Sequence, residues 1–271
     1  MDGLSGLHFS GQAFLDYPRL CDFCICACYN ISMTRTRVAV LRGGPSGEYD
    51  VSLKTGGAVL SNLPEKYQPI DVFISKEGTW HMHGVRKLPE EVILHTDVVF
   101  NALHGSYGED GKVQKLLDAF QIPYTGSRTL PSAIAMNKVM TKREIWKHGI
   151  KTPLYSTIHI SHDIPKRALA IFRTLPQPSV VKPSDAGSSL GTTLARSFEE
   201  MLQGVYRALE FSDTVIVEEY VSGREATCGV VDGFRGQKLY ALFPVEIQPK
   251  GSPFFDYEAK YSGDSDRKSV V

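Results

Sequence analysis

Lys182 stands where an apolar run meets a loop of small residues, in the stretch SVVKPSDAGSSLGT that spans Ser179 to Thr192. Val180 and Val181 predict the end of a buried strand. Beyond them Ser184, Ala186, Gly187, Ser188, Ser189 and Gly191 leave the backbone uncrowded. Glycines let N–H groups approach a ligand closely and hydroxyls add donors, so the loop suits an anionic phosphate. The lysine adds a point charge at the same place. A glycine-rich hairpin with an exposed lysine fits the same letters, so this segment needs company.

Five other places supply it. In GGPSGEYDVSL, Glu48 follows a glycine turn, where a carboxylate can face an ammonium group; as an isolated acid it reads equally as a solvated side chain. No lysine follows Gly47, which excludes the GxxxxGK[ST] phosphate loop. In NALHGSYGEDG, His104 ends an apolar strand, a favoured place for function in an open sheet, though a structural role serves as well. Lys138 in AMNKVMTK begins a helix and opposes its dipole, which a bound anion explains better than propensity does. Lys142 and Arg143 are near, and a plain basic face is the alternative. In VIVEEYVSGRE, Glu218 and Glu219 end a strand and Glu225 follows a Ser-Gly turn, either as a hinge that reads a base and a ribose or as an exposed acidic turn. Lastly, DYEAKY carries Tyr257, Lys260 and Tyr261, which can close over phosphates and exclude water.

The elements that position these residues follow from pattern. RVAVLRGG from Arg37 predicts a strand and a glycine turn, Val51–Leu63 a helix, and strands follow near Ile70–Ile74 and over Asp97–Leu103. Lys112–Phe120 resumes a helical pattern. Such alternation implies an open parallel, Rossmann-like sheet with ligands beyond the carboxyl ends of its strands. After a turn-rich boundary at Gln121–Ser132, Ala133–His148 predicts one helix closed by Gly149. Strands are predicted over Thr152–Ile160, Ser179–Lys182, Gly191–Ala195, Thr214–Val221 and Ala226–Val231, with a helix over Phe198–Phe211, an α+β arrangement. Ile247–Ser262, with two prolines, one glycine and four aromatics, reads as a lid.

Composition excludes several classes. Lysine plus arginine and aspartate plus glutamate are 30 each, so no global field attracts a polyanion and nucleic acid is not an expected partner. No apolar run is long enough to span a bilayer, and the expected setting is the cytosol. Residues 1–32 hold four of the five cysteines, Cys21, Cys24, Cys26 and Cys28, without signal-peptide or zinc-site spacing. They read as an untranslated or disordered leader, with Met33 as the functional start. Cys228, alone in an apolar segment, reads as a buried structural thiol.

Taken in order, GGPSGEYDVSL, ALHGSYGEDG, PYTGS, VVKPSDAGSSLG, EEYV and FDYEAKY closely resemble the D-alanine–D-alanine ligases of the ATP-grasp superfamily, from about Arg37 to Ser262. The resemblance implies a Rossmann-like substrate domain over 33–126, a central ATP-grasp subdomain over 127–216, and the opening of a C-terminal one over 217–271. It implies that Glu48 holds the ammonium of the first D-alanine in a chain with Ser188 and Tyr261, and that His104 lies beside its carboxylate. Lys138, Lys182 and Ser189 would bind ATP phosphates. Glu218, Glu219, Tyr220 and Val221 would line the adenine pocket, Glu225 would take the ribose, and Lys260 would reach the γ-phosphate.

The implied reaction is phosphorylation of one D-alanine by ATP, then attack of a second D-alanine's amine on the acyl phosphate, for peptidoglycan synthesis. ATP and Mg²⁺ (or Mn²⁺) are the implied cosubstrate and metal. Family members continue into a segment with an acid pair and an asparagine for the metal and an arginine for the oxyanion, whereas this chain stops at Val271. The sequence therefore predicts no metal ligands here and a C-terminally truncated, inactive polypeptide. D-alanyl-D-serine or D-lactate ligase activity and a non-catalytic ATP-binding fragment are the alternatives. Homodimerisation stays open.

Overall fold

The computed structural model describes residues 35–249 and 265–269. The leader at 1–32, Met33 and the lid residues Tyr257, Lys260 and Tyr261 lie outside the described residues.

The first part is built on β1 (Thr36–Gly43), whose apolar run is buried on both faces. Helix α1 (Tyr49–Asn62) follows, then β2 (Tyr67–Ile74), β3 (Trp80–Met82), β4 (Val85–Arg86), α2 (Pro89–Leu94), β5 (Val98–Asn101) and α3 (Lys112–Ala119). The sheet runs β4-β3-β2-β1-β5, with β1 parallel to both β2 and β5. The expected parallel pairing thus holds over β2-β1-β5, one side of the sheet. The β3–β4 edge is antiparallel, because a short Gly84 turn returns the chain at once. Leu41, Val72, Ile74, Val99, Val113 and Leu117 close one core face.

The second part comprises α4 (Thr129–Met136), α5 (Lys138–Lys147), β6 (Tyr155–His159), α6 (Ile164–Thr174), β7 (Ser179–Pro183), β8 (Thr193–Ala195), α7 (Phe198–Leu209) and β9 (Thr214–Glu219). The strands form an antiparallel sheet, β6-β9-β7-β8. Helices α6 and α7 bury Ile171, Met201 and Val205 with Val181 and Val217 of that sheet. The single helix expected over Ala133–His148 is two. Asn137 is extended (φ −91°, ψ 108°) and its side chain accepts from the Met140 N–H, which caps α5. Gly149 does take the left-handed turn that ends it, at φ +71°.

The last strands are β10 (Glu225–Thr227), β11 (Val230–Asp232), β12 (Leu239–Ala241), β13 (Val245–Pro249) and β14 (Ser265–Ser269). The one strand expected over Ala226–Val231 is two, since β10 pairs with β13 while β11 turns back on β12. Cys228 lies between them and is exposed, not buried. The described residues from Val221 to Leu239 are all exposed, so apolar character there brings no burial.

Candidate functional site

The first corner forms where β1 ends. Gly43 and Gly44 both take positive φ (+92° and +93°), and a Cβ on Gly43 would stand 2.3 Å from the Ile74 carbonyl oxygen, so the turn requires glycine. The buried Ser52 hydroxyl accepts from the Gly43 N–H and donates to the Ala102 carbonyl, both at 2.8 Å, pinning α1 between β1 and the end of β5. Ser46 Oγ accepts from the Glu48 N–H at 2.9 Å. Glu48 consequently sits buried at the N-terminus of α1, where the dipole favours a carboxylate.

The phosphate-type loop meets that corner. Ser188 donates its hydroxyl to Glu48 Oε1, and a Cβ on Gly187 would lie 3.0 Å from Glu48 Oε2. Ser188 and Ser189 hold φ of +50° and +59°, left-handed values that non-glycine residues keep only where their surroundings impose them. Gly191 follows at +65°, and a Cβ there would strike Phe211 at 2.7 Å. The loop is tied to α5 as well, because the Lys138 N–H donates to the Ser184 carbonyl at 2.7 Å and Lys138 Nζ to the Ala186 carbonyl at 2.5 Å. Lys138 therefore ties the loop to α5 through backbone and side chain alike, while Lys182 lies near the end of β7, the strand that leads into the loop.

Lys182 leaves β7 toward Glu218 of β9, pairing with its Oε1. Glu218 is 6% exposed, which removes the solvated-turn reading. Burial would raise its carboxyl, but Lys182 and Lys142 outweigh that and hold it below the usual carboxylate range. Lys142, read from sequence as part of a basic face, is buried and reaches Glu218 Oε2 at 2.9 Å. Its spacing of four from Lys138 puts both on one helix face but does not mark it as buried.

His104 sits past β5 with Nε2 2.9 Å from Thr55 Oγ1 and Nδ1 3.7 Å from Glu109 Oε1. Glu109 raises the imidazole above its ordinary value against the opposing effect of burial, with a smaller contribution from Glu48. Beside it opens a cavity of about 460 Å³, lined by Thr55, His104, Glu109, Ser127, Ser132 and Met136 among others. Glu109 and Thr55 were not expected from sequence; the EDG run gave no hint of which acid faces the ring.

The hinge residues divide. Glu219 Oε1 accepts from the Leu154 N–H at 2.9 Å, and the Tyr220 N–H donates to the Pro178 carbonyl at 3.0 Å. Glu219 and Val221 border a second cavity of about 570 Å³ with Trp146, Thr152, Pro153 and Leu154. Glu225 is exposed on β10, and no described hydrogen bond joins it to the lysines.

Comparison with known proteins follows the same division. Residues 145–271 match the model for the D-Ala D-Ala ligase C-terminus, and residues 37–92 and 84–127 match that for the N-terminus. The D-alanine–D-alanine ligase of Syntrophotalea carbinolica is 37% identical over 232 residues, 85% of this chain and 68% of that protein. That of Aquifex aeolicus is 40% identical over 228 residues, 83% and 71% of the two chains. The crystal structure of the Bacillus anthracis D-alanine–D-alanine ligase complexed with ATP superposes at a TM-score of 0.69, with 28% identity over 87% of this chain and 71% of that one. The VanG D-Ala:D-Ser ligase of Enterococcus faecalis gives 0.70, with 29% identity over 86% and 75%. With both family segments matched in order on an ATP-grasp architecture, and the glycine corner, the His-Gly strand end and the serine loop all in place, this chain belongs to the D-alanine–D-alanine ligase family.

Proposed function

We propose that this protein binds ATP and D-alanine at one continuous site and serves the ATP-dependent formation of D-alanyl-D-alanine for peptidoglycan precursors, in the cytoplasm. The observation that carries this is the Ser188–Glu48 hydrogen bond, which sets the loop suited to phosphate against the acid suited to an ammonium. In this reading Glu48 holds the ammonium of the first D-alanine and His104, biased toward its charged form by Glu109, attracts its carboxylate. Lys138, Lys182 and Ser189 hold the phosphates; Glu218 to Val221 border the adenine and Glu225 the ribose. Tyr261 would join Glu48 and Ser188, and Lys260 would reach the γ-phosphate.

The chemistry suits those charges. The carboxylate oxygen of the first D-alanine takes the γ-phosphoryl group of ATP, releasing ADP. The amine of the second then forms a C–N bond at that carbonyl as the C–O bond to phosphate breaks, and the amine gives up a proton. Fixed lysines offset charge spread over the transferring phosphoryl oxygens. Mg²⁺ (or Mn²⁺), when bound, would supply positive charge that offsets the charge of the phosphates. Among the described residues no group of three or more His, Cys, Asp or Glu is placed to hold a metal, and no step is routed through one.

Calorimetric titration with ATP, followed by dipeptide and phosphate assays in competition among D-alanine, D-serine and D-lactate, tests the reading. Saturable ATP binding with D-alanine preferred supports it. No nucleotide binding would overturn it, and preference for D-serine would move the chain to the specificity named for the Enterococcus relative.

A further inference from the structure

Two ammonium groups share the Glu218 carboxylate, and only one of them is partly exposed to solvent. Lys142, on α5 one turn beyond Lys138, has a side chain 9% exposed. Its three N–H donors are spent inside the protein, on Glu218 Oε2 at 2.9 Å, Thr152 Oγ1 at 2.7 Å and the Pro153 carbonyl at 3.2 Å. The Tyr155 ring lies 5.2 Å from the same nitrogen. Lys182 takes the other carboxylate oxygen and keeps 25% of its side chain exposed.

Stability alone gives little reason for this arrangement. A buried ion network is commonly replaced by apolar side chains without loss, because desolvation offsets the attraction within it. The charge of Lys142 does matter to Lys182. With both lysines present the cluster carries one net positive charge; without Lys142, Glu218 and Lys182 form a neutral pair and the attraction for an anion is cancelled. Engagement from the far side also fixes the Glu218 carboxylate, so Lys182 stands at a defined place and is held by one oxygen only.

We infer that Lys142 is a positioning residue for nucleotide binding, which holds Glu218 from behind and thereby keeps the charge of Lys182 available to an anionic phosphate. This rests on the reading of Lys182 as a phosphate ligand, and the test separates the two. In the full chain, the variants Lys142→Gln, Lys142→Arg and Lys142→Gln/Glu218→Gln are compared for ATP affinity by calorimetry. They are also compared, without nucleotide, for the rate at which Lys182 is acylated by an amine-reactive reagent, read by peptide mass spectrometry. Gln at 142 should weaken ATP binding about tenfold, the effect of one uncompensated charge at short range, and should slow labelling of Lys182. Arg should restore most of both. Adding Glu218→Gln returns the net charge to one and should recover affinity and labelling relative to Lys142→Gln alone, which a merely structural role cannot do. Unchanged labelling of Lys182 in Lys142→Gln, or a double variant no better than the single one, overturns the inference. If Lys142→Gln does not fold, the Arg variant decides, with labelling or affinity far below the parent counting against it. Parent protein that fails to bind ATP while the labelling pattern holds would instead remove Lys182 as a phosphate ligand.

Discussion

A Cβ on Gly105 would stand 2.6 Å from Glu48 Oε2, so the glycine that follows His104 makes the space the Glu48 carboxylate occupies. Gly105 also holds φ at +69°. Gly105→Ala should destabilise the fold by about 2 kcal/mol or more, from left-handed strain and displacement of Glu48 together. Gly78→Ala has φ +82° but nothing within 4 Å of the added carbon, and isolates the backbone part. Urea unfolding of both should show the larger loss at Gly105, and only that variant should also lose D-alanine affinity. Equal losses would mean the carboxylate has room to spare.

Glu48 is buried at a helix start and accepts the Ser188 hydroxyl. Glu48→Gln preserves its volume and removes its charge. D-alanine binding should weaken about tenfold or more, in the range of a charge-assisted hydrogen bond, while ATP affinity changes far less. Calorimetry with each ligand separately checks this. A loss falling mainly on ATP would place the ammonium elsewhere.

Lys182 is the partly exposed member of its cluster, next to a loop of left-handed serines. Lys182→Ala should raise the dissociation constant for ATP at least about tenfold, since a charge-assisted contact to phosphate disappears. The thermal midpoint, followed by circular dichroism, separates this from unfolding. Full ATP affinity in a folded Lys182→Ala protein would take the serine loop out of the nucleotide site.

Much of this was legible in the sequence because its signals are local. The apolar runs at β1, β7 and β9 and the glycine corner need only their own neighbours to be read. Helix α6 was missed although Asp163 caps it, a proline opens it, and Ile164, Ala168 and Ile171 recur at helical spacing. The break at Asn137 hid in a run of helix formers and becomes visible only through the Lys138–Ser184 bond from another element. Burial of Lys142 was out of reach for the same reason. Thr152, Pro153 and Glu218 lie on other segments, and no helical pattern on α5 announces them. Cys228 failed the opposite way, because apolar spacing says which residues can be buried and not whether anything covers them.

His104 gives a pH dependence with a definite sign. Glu109 raises its imidazole above the ordinary value of about 6.5. A histidine whose folded value is raised contributes stability fully below its unfolded value, and loses that contribution as pH rises through the higher folded value. Glu109→Gln removes the main cause, so the His104 titration should move down and the stability gained on acidifying through that window should shrink. Imidazole proton shifts followed against pH, beside urea midpoints at several pH values, measure both. The carboxylate of D-alanine, if it docks beside His104, should push the titration up again in parent and variant alike. A His104 midpoint unmoved by Glu109→Gln would assign the raised value to Glu48 or to the Thr55 contact instead.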